Sequence, residues 1–542
     1  MFGYIFKKIR YSSLKNKNKC MPQDTLPGKN NSEPILPDLE RNLEVIRGIL
    51  RDSSDVTIHE FNFGYDRRFK GALVFINSIA DKEEIHKNIL QPLMYSALLL
   101  KNDVDMDFTK IDTIRKNLIS IADNLKVTLL SDLLDNLLAG ATILLVNGSK
   151  EALAIKSGKR ESRTIDEPAT EAVVRGPREG FIEDVNVNIA LMRRKIKDTD
   201  LCVEKFIIGD KSKTDVYIVY IKSVANPKLI EEIRIRLNKI KIDAILESGY
   251  IEQFIEDAPY SIFPTISNSE KSDKVVAKIL EGRAAILVDG TPFALVVPMV
   301  FIESFQSVED YYARPFLASI TRVIRFLSYI ISTLGPAIYV ALTVFHQELI
   351  PTQLLISIAE GRERVPFPAI LEALLMIFTF DILREAGVRL PKPVGQTVGI
   401  VGALVLGQAS VEAGLISPIM VIVVSSTAIA SFAVPAQTDS GTILRYIYLA
   451  LAGLAGGFGV IIGFLITLLH LASLRSFGTP YLWPIAPLNF SGLKDVFIRM
   501  PLWTMLKRPK AIVWDDCDSY NQSPGLKPSP YKPHKRDNNA SK

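Results

Sequence analysis

The chain has 542 residues, 48% of them apolar and 23% charged, with 64 Lys and Arg against 59 Asp and Glu. That length calls for two to four structural units, and a net charge of +5 is too small to argue for nucleic acid. Charges crowd the chain upstream of Arg314, whereas Phe326–Leu474 holds long uncharged windows, which excludes a wholly soluble protein.

Residues 1–37 form a polar, Pro-bearing arm with Lys7, Lys8, Arg10, Lys15, Lys17 and Lys19 and no acid before Cys20, and they read as a disordered basic arm. No apolar stretch of signal-peptide length opens the chain, so the charged region that follows is expected to stay cytoplasmic. Cys20, Cys202 and Cys517 lie far apart and five histidines are scattered. That spacing leaves neither a disulfide framework nor a metal site to expect.

From 38 to 307 helical and strand periods alternate, the pattern of an α/β region. The apolar run Gly71–Ile76 leads through Asp81 into a helical pattern, and Val216–Ile221 does the same before Pro227. Gly140–Gly148 is similarly echoed by Gly282–Gly290. The offsets, 221 − 76 = 145 and 282 − 140 = 142, nearly agree, so two similar subdomains are expected at 38–165 and 181–307, joined by a linker at 166–180. The alternative is chance likeness of strand-turn text. Asn147-Gly148 and Asp289-Gly290 are expected to make type I′ hairpin turns. The linker leads into a helix within Phe181–Arg194.

Residues 308–325 are amphipathic, with Tyr311, Tyr312, Arg314, Phe316, Arg322 and Arg325, and are expected as an interfacial helix; an ordinary packed helix is the alternative. Five apolar segments then approach the ~20 residues that cross ~30 Å of hydrocarbon. They are Phe326–Phe345, Val365–Glu385, Val394–Val411, Leu415–Pro435 and Tyr446–Leu474, making a membrane domain of about five helices over 326–474. Basic ends on one side require an even number of crossings. Either one segment is re-entrant, or Leu349–Ile358 or Tyr481–Phe490 adds an element. Residues 475–510 read as a membrane-surface segment, basic from Arg499, and 511–542 as a disordered tail. The fold class is therefore an α/β cytoplasmic head of two similar subdomains followed by an α-helical polytopic membrane domain.

Chemistry has few places to sit. No phosphate-cradling loop, metal motif or nucleophile elbow is present, so no enzyme, catalytic residue, metal or cofactor is expected. In Val394–Glu412, Gly395, Gly399, Ala403 and Gly407 recur every fourth residue as a helix-packing face. A second stripe holds Thr397, Val401, Leu404, Gln408 and Glu412. Copied around a symmetric ring, it lines a water path with a Glu412 ring at one mouth and a gate at Val401 and Leu404; the alternative is a packed helix whose polar groups bond to neighbours. Glu372 and Asp381 fall about 180° apart on a helix. Glu372 is the candidate buried acid, with an interhelical hydrogen bond as the alternative. Asp381 and Glu385 stand near Arg384 and Arg389, which are able to offset them. Ala452, Ala455, Gly456, Gly459 and Gly463 read as close-packing positions, and His470 as an interfacial residue able to switch with protonation.

Several longer motifs resemble the A subunit of spore germinant receptors. In the head they are Gly176-Pro-Arg-Glu-Gly-Phe-Ile-Glu-Asp-Val-Asn-Val-Asn-Ile-Ala-Leu-Met-Arg-Arg-Lys195, Glu281-Gly-Arg-Ala-Ala-Ile-Leu-Val-Asp-Gly-Thr-Pro-Phe-Ala294 and Tyr311-Tyr-Ala-Arg-Pro-Phe316. Downstream they are Pro366-Phe-Pro-Ala-Ile-Leu-Glu372, Arg384-Glu-Ala-Gly-Val-Arg-Leu-Pro391 and Val394-Gly-Gln-Thr-Val-Gly-Ile-Val-Gly-Ala403. The resemblance covers roughly Leu39 to Pro509. It implies a multi-pass protein of the inner spore membrane, working with a transporter-like B subunit that binds the nutrient and a lipoprotein C subunit. It also implies a homo-oligomeric ring that releases ions when germinant binds. It carries over no catalytic position. The contrasting classes are a secondary transporter of the nutrient and a structural scaffold for the nutrient-binding subunit.

Overall fold

The computed structural model describes residues 33–505 apart from 52, 65–66, 97–108, 159–167, 169, 172, 392–406 and 491. Nearly all of the expected N-terminal arm, and the whole C-terminal tail, lie outside that range.

The first subdomain opens with helix α1 (Leu39–Ile49), started by Asp38, whose carboxylate accepts from the Glu40 N–H. Hairpin β1 (Val56–Phe63) and β2 (Phe69–Ile76) follows, then an irregular helical stretch at 82–96. The chain continues through α2 (Ile111–Asn117), β3 (Asn124–Val127), α3 (Leu130–Leu138), β4 (Ala141–Val146) and β5 (Ala152–Lys156). The strands form one antiparallel sheet in the order β1-β2-β4-β5-β3. β4 is buried along its length because helices cover both faces, so it carries the continuous apolar run Ala-Thr-Ile-Leu-Leu-Val rather than an alternation.

The second subdomain repeats this plan. It runs α4 (Val185–Lys195), β6 (Leu201–Ile208), β7 (Thr214–Ile221), α5 (Pro227–Lys239), α6 (Ser248–Ile255), β8 (Ser267–Ser269), α7 (Ser272–Leu280), β9 (Ala284–Val288) and β10 (Ala294–Val297). Its sheet order, β6-β7-β9-β10-β8, is the first order again. Hairpin registers agree too: Val56 faces Ile76, and 145 residues later Leu201 faces Ile221. Side-chain details repeat as well. Asn42 accepts from the Leu36 N–H and donates to the Leu36 carbonyl, and Asn188 does the same with Ile182. The duplication is thus a property of the fold.

The type I′ turns do not form. Gly148 and Gly290 both have φ 87°, but their partners Asn147 and Asp289 are not in the left-handed region. The loops are also longer than two residues, 147–151 and 289–293. Tertiary contacts decide this: the Asn147 side chain accepts from the Leu39 N–H at 3.2 Å, and Asp289 from the Val185 N–H at 3.3 Å. Each turn residue is committed to satisfying the exposed first turn of α1 or α4.

Downstream, the short helix α8 (Glu309–Tyr312) is followed at once by α9 (Pro315–Val344). Most of the stretch 308–325, expected as an interfacial helix, is the start of α9, which continues unbroken because Pro315 sits at its tolerated first position. Helices α10 (Thr352–Arg362), α11 (Ala369–Arg389), α12 (Pro418–Ser431) and α13 (Thr438–Ser473) complete the helical region. Among the described residues two helical stretches, Pro315–Val344 and Pro435–Ser473, are long and apolar enough to cross a membrane.

The second of these is not a single rod. Gly456 has φ 60° and ψ −142°, and the chain reverses there. The Tyr448 hydroxyl donates to Thr467 Oγ1 at 2.8 Å, although 19 residues of straight helix would hold them about 28 Å apart. α13 is thus a hairpin with arms of about 27 and 26 Å at 1.5 Å per residue. Both ends return to the head: Gln437 donates to Ser304 Oγ at 2.8 Å, and His470 Nε2 lies 3.0 Å from Ser261 Oγ. The expected segment Tyr446–Leu474 therefore combines part of one arm with all of the other. Hydropathy has no means of seeing the reversal, because both arms are equally apolar.

Candidate functional site

Six of the nine stripe and packing positions (Gly395, Thr397, Gly399, Val401, Ala403 and Leu404) lie outside the described residues. The stretch 407–412 is helical. There Gly407 is buried, with room for ordinary contact to Val421 on α12, while Gln408 and Glu412 are exposed. Gln408 Nε2 donates to Glu412 Oε1 at 3.0 Å. The described end of this segment thus separates a packing side from a polar side, as its four-residue spacing dictates.

Glu372 is fully buried in the first turn of α11. Its Oε1 accepts from both the Ser417 N–H and the Ser417 hydroxyl at 2.5 Å. Ser417 is the N-cap of α12, so Glu372 places a carboxylate on the positive end of that helix. Arg362 Nε lies 3.9 Å from Oε2, and Oε2 accepts no hydrogen bond. This is the interhelical bond that stood as the alternative to a functional acid. Asp381, on the far face as expected, accepts from the Tyr446 hydroxyl at 2.7 Å and lies 3.6 Å from Arg384. Arg389 pairs with Glu385.

Sequence reading missed Arg445. It is 2% exposed, donates to the Ser332 carbonyl at 2.9 Å and lies 3.8 Å from Asp381. The available signal was a lone cation beginning an apolar run, where an unpaired charge is costly and calls for an acidic partner.

The densest polar cluster sits where the head meets the bundle. On α9, Arg322 Nε donates to Asp310 Oδ2 at 2.8 Å and Arg322 Nη1 to Asp495 Oδ1 at 2.6 Å. Arg325 binds both Asp310 oxygens at 2.9 and 2.8 Å. The Tyr311 hydroxyl donates to Asp495 Oδ2 at 2.6 Å, and Arg499 donates to the Tyr311 carbonyl. Burial by itself raises the Asp310 carboxyl, but the Arg325 and Arg322 guanidiniums overcome this and hold it below its usual range. Burial first, then the Asp495 charge, pushes the Tyr311 phenol well up, so it stays a neutral donor.

The C-terminal segment, expected along a membrane surface, also packs against this joint. The Phe301 N–H donates to the Tyr481 carbonyl at 2.8 Å, Met299 N–H to Ser476 Oγ at 3.0 Å, and Phe497 meets Phe326 edge to face. One apolar cluster unites Phe263, Met299, Phe301 and Phe305 of the head with α9, α11, α12, α13 and Tyr481. Arg322 and Asp310 are buried in this joint, so each charge depends on the partners that packing supplies. Among the described residues no group of three His, Cys, Asp or Glu side chains gathers as a metal site.

The sequence profile described as "Bacillus/Clostridium GerA spore germination protein" matches residues 44–511. The chain is 44% identical over 484 residues to spore germination protein KA of Bacillus subtilis (strain 168), covering 89% of this chain and 88% of that protein. It is also 44% identical over 484 residues to the uncharacterized membrane protein YfkQ of the same strain, covering 89% and 92%. Spore germination protein GerLA of Bacillus cereus is 41% identical over 487 residues, covering 89% and 98%. The crystal structure of the N-terminal domain of the A subunit of the Bacillus megaterium spore germinant receptor GerK3 aligns with a TM-score of 0.40 and 37% identity, covering 50% of this chain and 98% of that one.

Proposed function

The chain belongs to the Bacillus/Clostridium GerA spore germination protein family, and on that premise we propose that it is the A-type membrane subunit of a nutrient germinant receptor and supplies its gated path for ions. A role in germination follows from relatives that carry that name along nearly their whole length. The ion path is our reading of the stripe from Thr397 to Glu412.

In this reading the protein sits in the inner spore membrane as a multi-pass chain with its head in the cytoplasm, beside a transporter-like B subunit and a lipoprotein C subunit. Several copies form a ring, and Glu412 faces its lumen. The outward placement of Gln408 and Glu412 on one protomer supports this, because a lumen between protomers is lined by outward-facing groups. The protein performs no bond chemistry. It converts the state of its partners into helix position, a two-state bias of packed elements.

The observation that carries the coupling is the buried joint of Arg322 with Asp310 and Asp495. It ties the short helix α8, the first long helix and the C-terminal segment into one rigid piece. The test is reconstitution with the partner subunits and recording of ion flux on adding nutrient. Glu412→Gln is expected to change selectivity or conductance, and Asp495→Asn to change the nutrient response, with complex assembly intact in both. Unaltered flux in Glu412→Gln, or flux that persists without this subunit, defeats the proposal. Saturable nutrient uptake by this chain alone would instead make it a transporter.

A further inference from the structure

We propose that Tyr260, in the loop between α6 and β8, seats the second subdomain in the headgroup layer of a lipid bilayer. This rests on the reading that the helical bundle crosses a bilayer, and adds that the head itself touches it.

The loop is pinned from both sides. Ala258, Ile262 and Phe263 pack into the cluster shared with the bundle. Ser261 Oγ is 3.0 Å from His470 Nε2, on the returning arm of α13, and the Phe263 ring lies 6.0 Å from the His470 ring. With its neighbours held in this way, Tyr260 is left 100% exposed. Phe254, in the last turn of α6 leading into the loop, is 52% exposed.

The level of the loop identifies what covers the ring. On the arm that ends at Ser473, Leu465 and Leu469 are outward-facing apolar residues, which the bundle reading places against lipid tails. His470 lies one residue further on, and the exposed Arg475 follows the end of the arm. Tyr260 therefore stands beside the boundary at which the apolar belt gives way to a cation. A tyrosine gains most at such a boundary, because its ring leaves water while its hydroxyl remains hydrated. Because the loop backbone is already held by its neighbours, inserting the ring costs only its own side-chain freedom.

The experiment uses the full chain in nanodiscs whose lipids carry bromine either near the glycerol end or near the methyl end of the acyl chain. Tyr260→Trp and, separately, Leu465→Trp are compared with the parent protein, whose three native tryptophans set the background. Tyr260→Trp is expected to add emission quenched about twofold more strongly by the shallow bromine than by the deep one, and Leu465→Trp to show the reverse depth order. If Leu465→Trp is quenched and Tyr260→Trp is not, the inference is overturned while the membrane reading stands. If neither is quenched, the membrane reading has failed. Added emission that lipid does not quench but that is shielded from aqueous iodide means that protein covers the ring, which also overturns the inference.

Discussion

Arg193 of the second subdomain donates to both carboxylate oxygens of Asp55 in the first, Nε to Oδ2 at 2.9 Å and Nη2 to Oδ1 at 2.8 Å, with 1% and 5% of the residues exposed. Arg193 also donates to Ser53, whose hydroxyl donates in turn to the Leu201 carbonyl. This bidentate pair is the polar centre of the contact between the two halves of the head. It makes the duplicated units one body able to act on the bundle.

Removing one partner leaves the other charge buried alone. Arg193→Ala is expected to destabilise the protein by about 3–5 kcal/mol, read as a lower thermal midpoint in detergent, and Asp55→Ala by a similar amount. The double variant should lose clearly less than the sum of the two. Additive losses would mean that the pair does not couple the halves.

At the hairpin tip, a Cβ on Gly456 would stand 2.7 Å from Phe345 Cβ and Cγ, at a backbone φ that side chains rarely adopt. Gly456→Ala is expected to destabilise by about 2 kcal/mol or more. It should also lengthen the distance between spin labels placed near Tyr448 and Thr467. An unchanged distance and midpoint would mean that the chain does not turn there.

Glu372 and Ser417 form a buried donor–acceptor unit. Glu372→Ala is expected to cost about 2–3 kcal/mol by stranding the Ser417 hydroxyl and the start of α12, whereas Glu372→Gln retains an oxygen acceptor and should lose less. Equal loss in both, measured by thermal unfolding, would indicate that the charge acts in a way the hydrogen bonds do not explain.

Glu252 on α6 offers a pH test. Burial, then the nearby Glu256 and Glu247 carboxylates, raise its carboxyl to about 7 from an ordinary 4.5. The folded state therefore holds this proton more tightly than the unfolded chain, and stability falls as pH rises from about 4.5 to about 7 and levels off above. Glu252→Gln should remove that slope and leave the variant more stable than the parent at pH 8, by roughly 1–3 kcal/mol. Parallel stability–pH curves for variant and parent would refute this.

Legibility followed the range of each interaction. The two sheets were readable because each packs local apolar runs at a regular offset, and burial repeats wherever the pattern does. Glu372 was singled out by its place in an apolar segment, but its partner Ser417, 45 residues away, was not. Asp495 was passed over because nothing local distinguishes it from any other surface acid. It becomes the keystone of the joint only when the C-terminal segment folds back to Arg322 and Tyr311.

By itself, then, the order of residues determined the duplicated α/β head, the apolar second half and the family. Those depend on composition and period, which neighbouring residues carry. Tertiary structure alone decided that α13 doubles back at Gly456, that α9 starts at Pro315 within the amphipathic stretch, and which buried charges meet. Those outcomes depend on which distant surfaces pack together, and an unpaired charge in an apolar interior is stable only beside the partner that packing brings to it.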